Sequence, residues 1–337
     1  MVKSKMNFVL YGVGEIGTRL FNVLELKEGV QCVGAVDIDP EKCGNDIGIL
    51  SGAEEVGVIV KDDIEKVLED SDPDLVFHTT ASHLGEVERQ IKEMLNNRLN
   101  VISSCEEMAY PAYSSPKLAK DFDKMAEANN VSVLGTGINP GFLMDTLPMV
   151  LTGVSQEVEK IKVNRRIDAA KRREPFQKKI GSGLTVDSFA NQKDIGHVGL
   201  PESMSLIASA VGWSLDGINI GEPEPITAEK TIITDYLTVK SGQVSGLTQT
   251  AEGKKGEVTV IELNFTASLN NEEEFDEIVI EGVPQINQKI SPSINGDIGT
   301  VSMLANLAPH VVNSSAGLIT MKDVVSLTFF RGLRSTE

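Results

Sequence analysis

Phe8-Val9-Leu10-Tyr11-Gly12-Val13-Gly14-Glu15-Ile16-Gly17-Thr18 sets an apolar run directly against three spaced glycines, and a helix-like segment from Thr18 to Leu26 follows. Each glycine has its own task in such a strand-turn-helix unit. Gly12 makes the tight turn, Gly14 lets backbone N–H groups approach a pyrophosphate, and Gly17 lets helix and strand pack closely. Glu15 and Ile16 lie between the last two glycines, where the helix opens and its unpaired N–H groups and dipole favour negative charge. Glycine-rich turns have many uses, so the triplet alone is weak. A second apolar run, Val33-Gly34-Ala35-Val36, ends in Asp37 about twenty residues beyond Gly17, where a ribose 2′-hydroxyl needs an acceptor. Together the two stretches predict a nicotinamide dinucleotide site; a plain structural turn with a helix-capping Asp37 is the alternative. Asp37 favours the free ribose of NAD, while Lys42 nearby could tolerate the 2′-phosphate of NADP.

Outward from this unit, short apolar runs alternate with polar, helix-like segments as far as about Leu134. The runs are Phe8–Tyr11, Cys32–Val36, Leu75–His78, Val101–Ser103 and Val131–Leu134, with crossover helices expected at Ile64–Glu69, His83–Asn97 and Leu118–Asn129. Continuous apolar strands separated by helices predict a parallel sheet covered on both faces. In such a sheet ligands lie beyond the carboxyl ends of the strands, which directs attention to Thr79, Thr80, Ser104, Glu106 and Glu107, and to the turn Asn139-Pro140-Gly141-Phe142. After about Thr146 the texture changes. Val158–Val163, Thr231–Val239, Val258–Leu269 and Glu277–Ile280 read as longer strands of partly alternating polarity, with a helix at Pro201–Val211 and a turn at Gly221–Pro225. Asp297 to about Val312 returns to a helical pattern. The expected fold is therefore α/β: an N-terminal Rossmann dinucleotide-binding domain over 1–145, completed by about 296–337, and a C-terminal α+β domain with a mixed or antiparallel sheet over 146–295. The second domain is expected to bind substrate and to supply a homodimer interface, since an exposed sheet face needs a partner.

With 337 residues, the chain is long enough for two full cores. A net charge of −18, spread along the chain, opposes binding to nucleic acid or to an anionic membrane surface. Cys32, Cys43 and Cys105 form no CxxC pair, and no apolar run approaches the roughly 20 residues needed to span a bilayer. A soluble cytoplasmic protein is expected. No HxH, HExxH or CxxC spacing suggests a metal site.

The chemistry is expected at the fourth strand end. A carboxylate beside a substrate ammonium can hold it and take its proton, and an amine must be deprotonated before it can push hydride onto a nicotinamide. Alternation puts one of Glu106 and Glu107 toward the cleft; Glu106 is favoured, with Glu107 opening the next helical turn, and two solvated acids are the bland alternative. Cys105 offers a rival as the nucleophile of an aldehyde dehydrogenase, although the two adjacent acids would destabilise its thiolate. Asn139 could hydrogen-bond the nicotinamide amide or the substrate, or simply cap its turn. In the later half, Asn164-Arg165-Arg166, Arg172-Arg173 and Phe176 form a basic cluster in an acidic chain, a candidate grip for a substrate carboxylate or a solvated face. His197, between two glycines before a helix, is the best placed of four histidines to reach a cleft, though a lone histidine is often structural.

Several motifs in order resemble one family. Gly12-x-Gly14-x-x-Gly17, Ala35-Val36-Asp37-Ile38-Asp39-Pro40, Ser104-Cys105-Glu106-Glu107, Asn139-Pro140-Gly141-Phe142-x-Met144-Asp145, Gly196-His197-Val198-Gly199-Leu200-Pro201-Glu202-Ser203 and Ala316-Gly317-Leu318-Ile319-Thr320-Met321 are similar to those of the 2,4-diaminopentanoate dehydrogenases and related native amine dehydrogenases. Those proteins share the dihydrodipicolinate reductase type of two-domain fold. The resemblance spans nearly the whole chain. It implies NAD(P)-dependent oxidative deamination of an amine, most specifically 2,4-diaminopentanoate to 2-amino-4-oxopentanoate and ammonia, reversible as reductive amination of a ketone. It also places the catalytic carboxylate on the Glu106-Glu107 pair and draws the substrate pocket from Asn139, Asn164, Arg166 and His197, to which the residue reading adds Phe142 and Phe176. Dihydrodipicolinate reductase proper matches less well, because its paired-histidine and Lys-Asp signature has no counterpart. A thiol-dependent aldehyde dehydrogenase and a non-catalytic dinucleotide-sensing module are the competing functions.

Overall fold

The computed structural model describes residues 5–192, 195–196, 199–324 and 326–333. The chain divides into two compact units, Met1–Gly141 with Thr300–Glu337, and Phe142–Gly299.

In the first unit six strands, β1 (Met6–Tyr11), β2 (Val30–Val36), β3 (Val60–Lys61), β4 (Leu75–His78), β5 (Asn100–Ser103) and β6 (Ser132–Gly135), join a seventh, Gly317–Ile319, in one sheet. The spatial order is Gly317–Ile319, β6, β5, β4, β1, β2, β3, and every pairing is parallel. The chain proceeds from β1 to β2 and β3 on one side and resumes with β4 on the other. That reversal between β1 and β4 opens a crevice at the carboxyl edge of the sheet. The strands read as unbroken apolar runs because both faces are covered: Phe8, Val9, Leu10, Leu75, Val76 and Phe77 are fully buried. The crossover Leu84–Asn96 shows why a helix forms where it does. Its buried residues, Leu84, Val87, Ile91, Met94 and Leu95, recur at three- and four-residue spacing and line one stripe. The helix Pro116–Asn129 starts on a proline, with Ser115 Oγ accepting from Leu118 N–H, and stops at Asn130 in the left-handed conformation.

In the second unit β7 (Glu157–Asp168), β8 (Gly217–Ile220), β9 (Glu224–Thr227), β10 (Ile232–Ile233), β11 (Thr238–Val239), β12 (Val244–Lys255), β13 (Val258–Ser268), β14 (Phe275–Val283) and β15 (Ile286–Ile290) follow. The main sheet runs β15-β14-β7-β13-β12-β8, with β9 also on β12. It is mixed: β7 and β13 are parallel, and the other pairings are antiparallel. Period-two alternation sorts the side chains of β7. Ile161, Val163 and Ile167 join the apolar core, while Lys160, Lys162, Asn164 and Arg166 lie on the opposite face. Arg165 falls on the apolar side and is tolerated there because its guanidinium donates to Asp276 at 2.9 Å and to the Ile294 carbonyl at 2.8 Å.

One expectation about this unit is corrected. Thr231–Val239 is not one strand but a small hairpin, in which β10 and β11 pair antiparallel around a turn held by Thr234, whose hydroxyl accepts from Leu237 N–H. The strand β12 has no counterpart among the expected strands, because Gly246 and Gly253 dilute its apolar pattern. Gly246 is required by close packing: a Cβ there would lie 2.0 Å from the Ala267 carbonyl oxygen on β13.

Candidate active site

The glycine loop joins β1 to the helix Glu15–Glu25. Gly12 adopts φ +104°, and a Cβ there would lie 2.8 Å from the Thr79 carbonyl oxygen. A Cβ at Gly17 would lie 2.1 Å from the Gly12 carbonyl oxygen, so helix and loop touch backbone to backbone. Gly14 differs: a Cβ there would meet nothing within 4 Å, and the residue is exposed. Two glycines are thus demanded by the protein's own packing, and the third faces open space at the N-terminus of an eleven-residue helix. Exposed Glu15 and half-buried Ile16 follow it in the first turn. That is the cradle a pyrophosphate needs, and the residues present fit a dinucleotide.

Asp37 closes β2 beside this loop. Its Oδ2 accepts from the Val13 N–H at 2.7 Å and from Lys42 Nζ at 3.1 Å, and its Oδ1 from the Asp39 N–H at 2.9 Å. Burial works to raise this carboxyl, but the Asp39 and Val13 amides and the Lys42 ammonium outweigh it and hold Asp37 below the usual range. An ionised acceptor therefore stands at the second strand end, tied to the glycine loop and flanked by one cation.

At the β4 end Thr79 Oγ1 donates to the Gly12 carbonyl at 2.8 Å, pinning the glycine loop from below. Thr80 is exposed and donates to Gln90 Oε1 at 2.8 Å. Ser104 follows β5, its N–H donating to the His78 carbonyl at 2.9 Å, and the 3₁₀ turn Glu106–Ala109 comes next. The structure separates the two acids in this turn. Glu107 accepts from the Leu84 N–H at 2.7 Å through one oxygen and contacts His83 Nδ1 at 2.9 Å through the other. From the first turn of its own 3₁₀ segment it also caps the helix Leu84–Asn96. Glu106 is half-buried at the carboxyl edge of the sheet.

Cys105 is 1% exposed, its thiol donates to the Ser82 carbonyl at 3.1 Å, and burial pushes it up to about 12. A thiol so held is protonated at neutral pH and has no access to a substrate, which disfavours the nucleophile reading. Asn139 follows β6, half-buried, and its bond to Pro140 is cis. Phe142 opens the second unit and is also half-buried.

The basic cluster is resolved into separate roles. Arg165 is paired with Asp276; Arg172 and Arg173 both grip Asp297, at 2.9 and 3.0 Å, and Arg172 stacks 4.0 Å from the centroid of Phe176. Arg166 is the most exposed of the four, at 44%, and its contact with Glu273 is 3.8 Å long; its Nε donates to Asn271. Asn164 lies two residues away on the same face, donating to Glu277 Oε2 at 2.8 Å and accepting from Asn264 at 2.9 Å. Arg166 and Asn164 thus share one sheet face, whereas Phe176 sits on the helix Glu174–Lys179 beside Arg172. His197 lies outside the described residues. Acidic partners dispersed over more than a hundred residues, as Asp276 and Asp297 are, leave no local signal beside an Arg-Arg pair.

Residues 142–333 match the profile of the 2,4-diaminopentanoate dehydrogenase C-terminal domain, and residues 6–104 that of the dihydrodipicolinate reductase N-terminus. A 2,4-diaminopentanoate dehydrogenase of Acetoanaerobium sticklandii is 34% identical, the alignment covering 95% of this chain and 94% of that one. An amine dehydrogenase of Streptomyces virginiae is 25% identical over 53% of this chain and 51% of its own. The structure of an amine dehydrogenase from Mycobacterium smegmatis superposes with a TM-score of 0.87 at 23% identity, covering 98% of this chain and 99% of that one, which shows a shared fold. By full-length identity and by a C-terminal profile that spans more than half of it, the chain belongs to the 2,4-diaminopentanoate dehydrogenase family.

Proposed function

We propose that the protein is a nicotinamide-dinucleotide-dependent amine dehydrogenase that oxidises 2,4-diaminopentanoate to 2-amino-4-oxopentanoate and ammonia, and aminates the ketone in reverse. The observation that carries the residue assignment is the placement of Glu106, half-buried at the carboxyl edge of the parallel sheet directly after β5, where a nicotinamide lies in this fold, while its neighbour Glu107 caps the helix Leu84–Asn96. When bound, the nicotinamide accepts hydride from the carbon bearing the amine. Glu106 holds the substrate ammonium and takes a proton from its nitrogen, so that the lone pair can form the C=N bond as hydride departs. Water then adds to the iminium carbon and releases ammonia. Glu106 shuttles the protons of that hydrolysis. Gly12, Gly14, Glu15, Ile16 and Gly17 cradle the pyrophosphate, Asp37 accepts from the ribose, and Thr79, Thr80, Ser104 and Asn139 border the nicotinamide half. Asp37 favours NAD over NADP, with Lys42 moderating that preference. Asn164 and Arg166, which share one face of β7, contribute to substrate binding, and Arg166, whose internal contact is long and exposed, holds the substrate carboxylate. The second unit binds substrate and pairs two copies as a homodimer. The three cysteines are free, which suits a reducing cytoplasm.

The test is amine oxidation followed by NADH formation. Glu106→Gln keeps shape and removes the base, and kcat should fall about 10²–10⁴-fold. Unchanged turnover in that variant, with Glu107→Gln inactive, would move the role to Glu107.

A further inference from the structure

Behind the strand ends runs a buried polar thread that the proposed chemistry does not itself consume. His78, the last residue of β4, has no exposed surface. Its Nδ1 lies 2.8 Å from Ser103 Oγ, and its Nε2 lies 2.8 Å from Gln90 Oε1 and 2.9 Å from Thr80 Oγ1. With the Gln90 amide oxygen toward the ring, Nε2 must carry the proton, because that oxygen can only accept. Nδ1 is then an acceptor and takes the Ser103 hydroxyl proton. Ser103 Oγ in turn accepts from the Cys105 N–H at 3.1 Å. The donors therefore run one way, from Cys105 through Ser103 and His78 to Gln90, where the Thr80 hydroxyl also donates. An imidazolium would point an N–H at Ser103, turn its hydroxyl away and compete for the oxygen that the Cys105 amide uses. Burial pushes the ring down to about 4, so the neutral form persists through the physiological range.

Both ends of this thread adjoin the proposed machinery. Thr80 follows Thr79, which holds the Gly12 carbonyl, and Cys105 precedes Glu106. We propose that His78, as the neutral Nε2–H tautomer, is a positioning residue that locks the loop carrying Glu106 to the Thr79-Thr80 loop, so that the proton acceptor keeps its register with the cofactor loop. This rests on the assignment of Glu106 as the base. It goes further in naming what sets the place of that base: not its own contacts alone but a hydrogen-bond relay from the neighbouring strand. A slip of about 1 Å in a reacting group costs roughly 100-fold, so a relay that fixes one loop against another controls rate without touching substrate.

The experiment uses the full-length protein with amine substrate and NAD, and measures kcat alongside NADH affinity by fluorescence titration. Ser103→Ala removes the hydroxyl that links His78 to the Cys105 amide while changing little volume. Its kcat should fall about 10- to 100-fold with NADH affinity within about twofold of wild type. Ser103→Thr keeps the hydroxyl and should recover most of the loss. His78→Asn, which retains an acceptor toward Ser103, should be faster than His78→Leu. In protein labelled with ¹⁵N-histidine, His78 should show a protonated Nε2 and a bare Nδ1 that do not titrate near neutral pH. Wild-type kcat in Ser103→Ala, with Glu106→Gln inactive, would overturn the positioning role and leave Glu106 as the base. Equal losses of NADH affinity and kcat would also overturn it, because they indicate a general packing function. Full activity in Glu106→Gln would refute the base assignment and the relay with it.

Discussion

Replacing Asp37 by serine tests the cofactor site most sharply, because one carboxylate there does three things at once. It is ionised, it faces the expected position of the ribose, and it accepts the Val13 N–H at 2.7 Å, so it also braces the glycine loop. A hydrogen bond from a neutral hydroxyl to a charged acceptor is worth about 1.5–3 kcal/mol. Losing it should raise the KM for NAD about 10- to 100-fold. The effect on NADP has the opposite sign. A 2′-phosphate brought beside a carboxylate is repelled by about 1 kcal/mol per charge pair at roughly 4 Å in water and about 4 kcal/mol near a protein surface. Lys42, 3.1 Å from the same carboxylate, offsets part of this already. Taking the low end, Asp37→Ser should improve the NADP-to-NAD ratio of kcat/KM by at least about 10-fold, and Lys42→Ala should worsen it. Steady-state kinetics with both cofactors, at two ionic strengths, measure these ratios directly; the Lys42 effect should shrink at high salt. If Asp37→Ser left kcat/KM for NAD within twofold of wild type, the reading of β2 and of the pyrophosphate loop beside it would be wrong.

Three further outcomes follow from contacts in the structure. Glu107→Gln weakens the cap on the helix Leu84–Asn96, so stability should fall by about 1 kcal/mol and the melting temperature by a few degrees, with kcat retained within a few-fold; a rate loss without a stability loss would contradict the capping role. Cys105→Ala should keep amine oxidation, since its thiol is buried and protonated; complete loss with intact folding and NADH binding would revive the thiol mechanism. Glu262 on β13 accepts from Asn264, Lys160 and Lys162, which outweigh its burial and bring it down to about 2. Its folded value lies below the ordinary one, so its stabilising effect is present above about pH 4.3 and is lost as pH falls toward 2. Glu262→Gln should therefore flatten the acid limb of a melting-temperature profile, and an unchanged limb would show that these bonds add nothing.

The residues that form the dinucleotide fold were legible in order because their constraints are local. Gly12 needs a positive φ, Gly17 has no room for a Cβ, and unbroken apolar runs such as Leu75–Phe77 mark strands covered on both sides. The second unit was less legible. Its strands carry one wet face, and β12 interleaves glycine, threonine and glutamine, so its identity comes from pairing with β13 and β9, which no short window contains.

By itself the sequence determined the strand-turn-helix unit, the acid at the β2 end and the presence of two carboxylates after β5, since each follows from spacing along a few adjacent residues. Only the tertiary structure decided what distinguishes equals. Glu106 and Glu107 are the same side chain in neighbouring positions, and they part because the Leu84 amide, twenty-three residues earlier, claims one of them. Arg165, Arg172 and Arg173 likewise become internal cations through Asp276 and Asp297, more than a hundred residues away. A side chain's chemistry is written in its own residue type; its task is set by partners that the folded chain brings within hydrogen-bond distance.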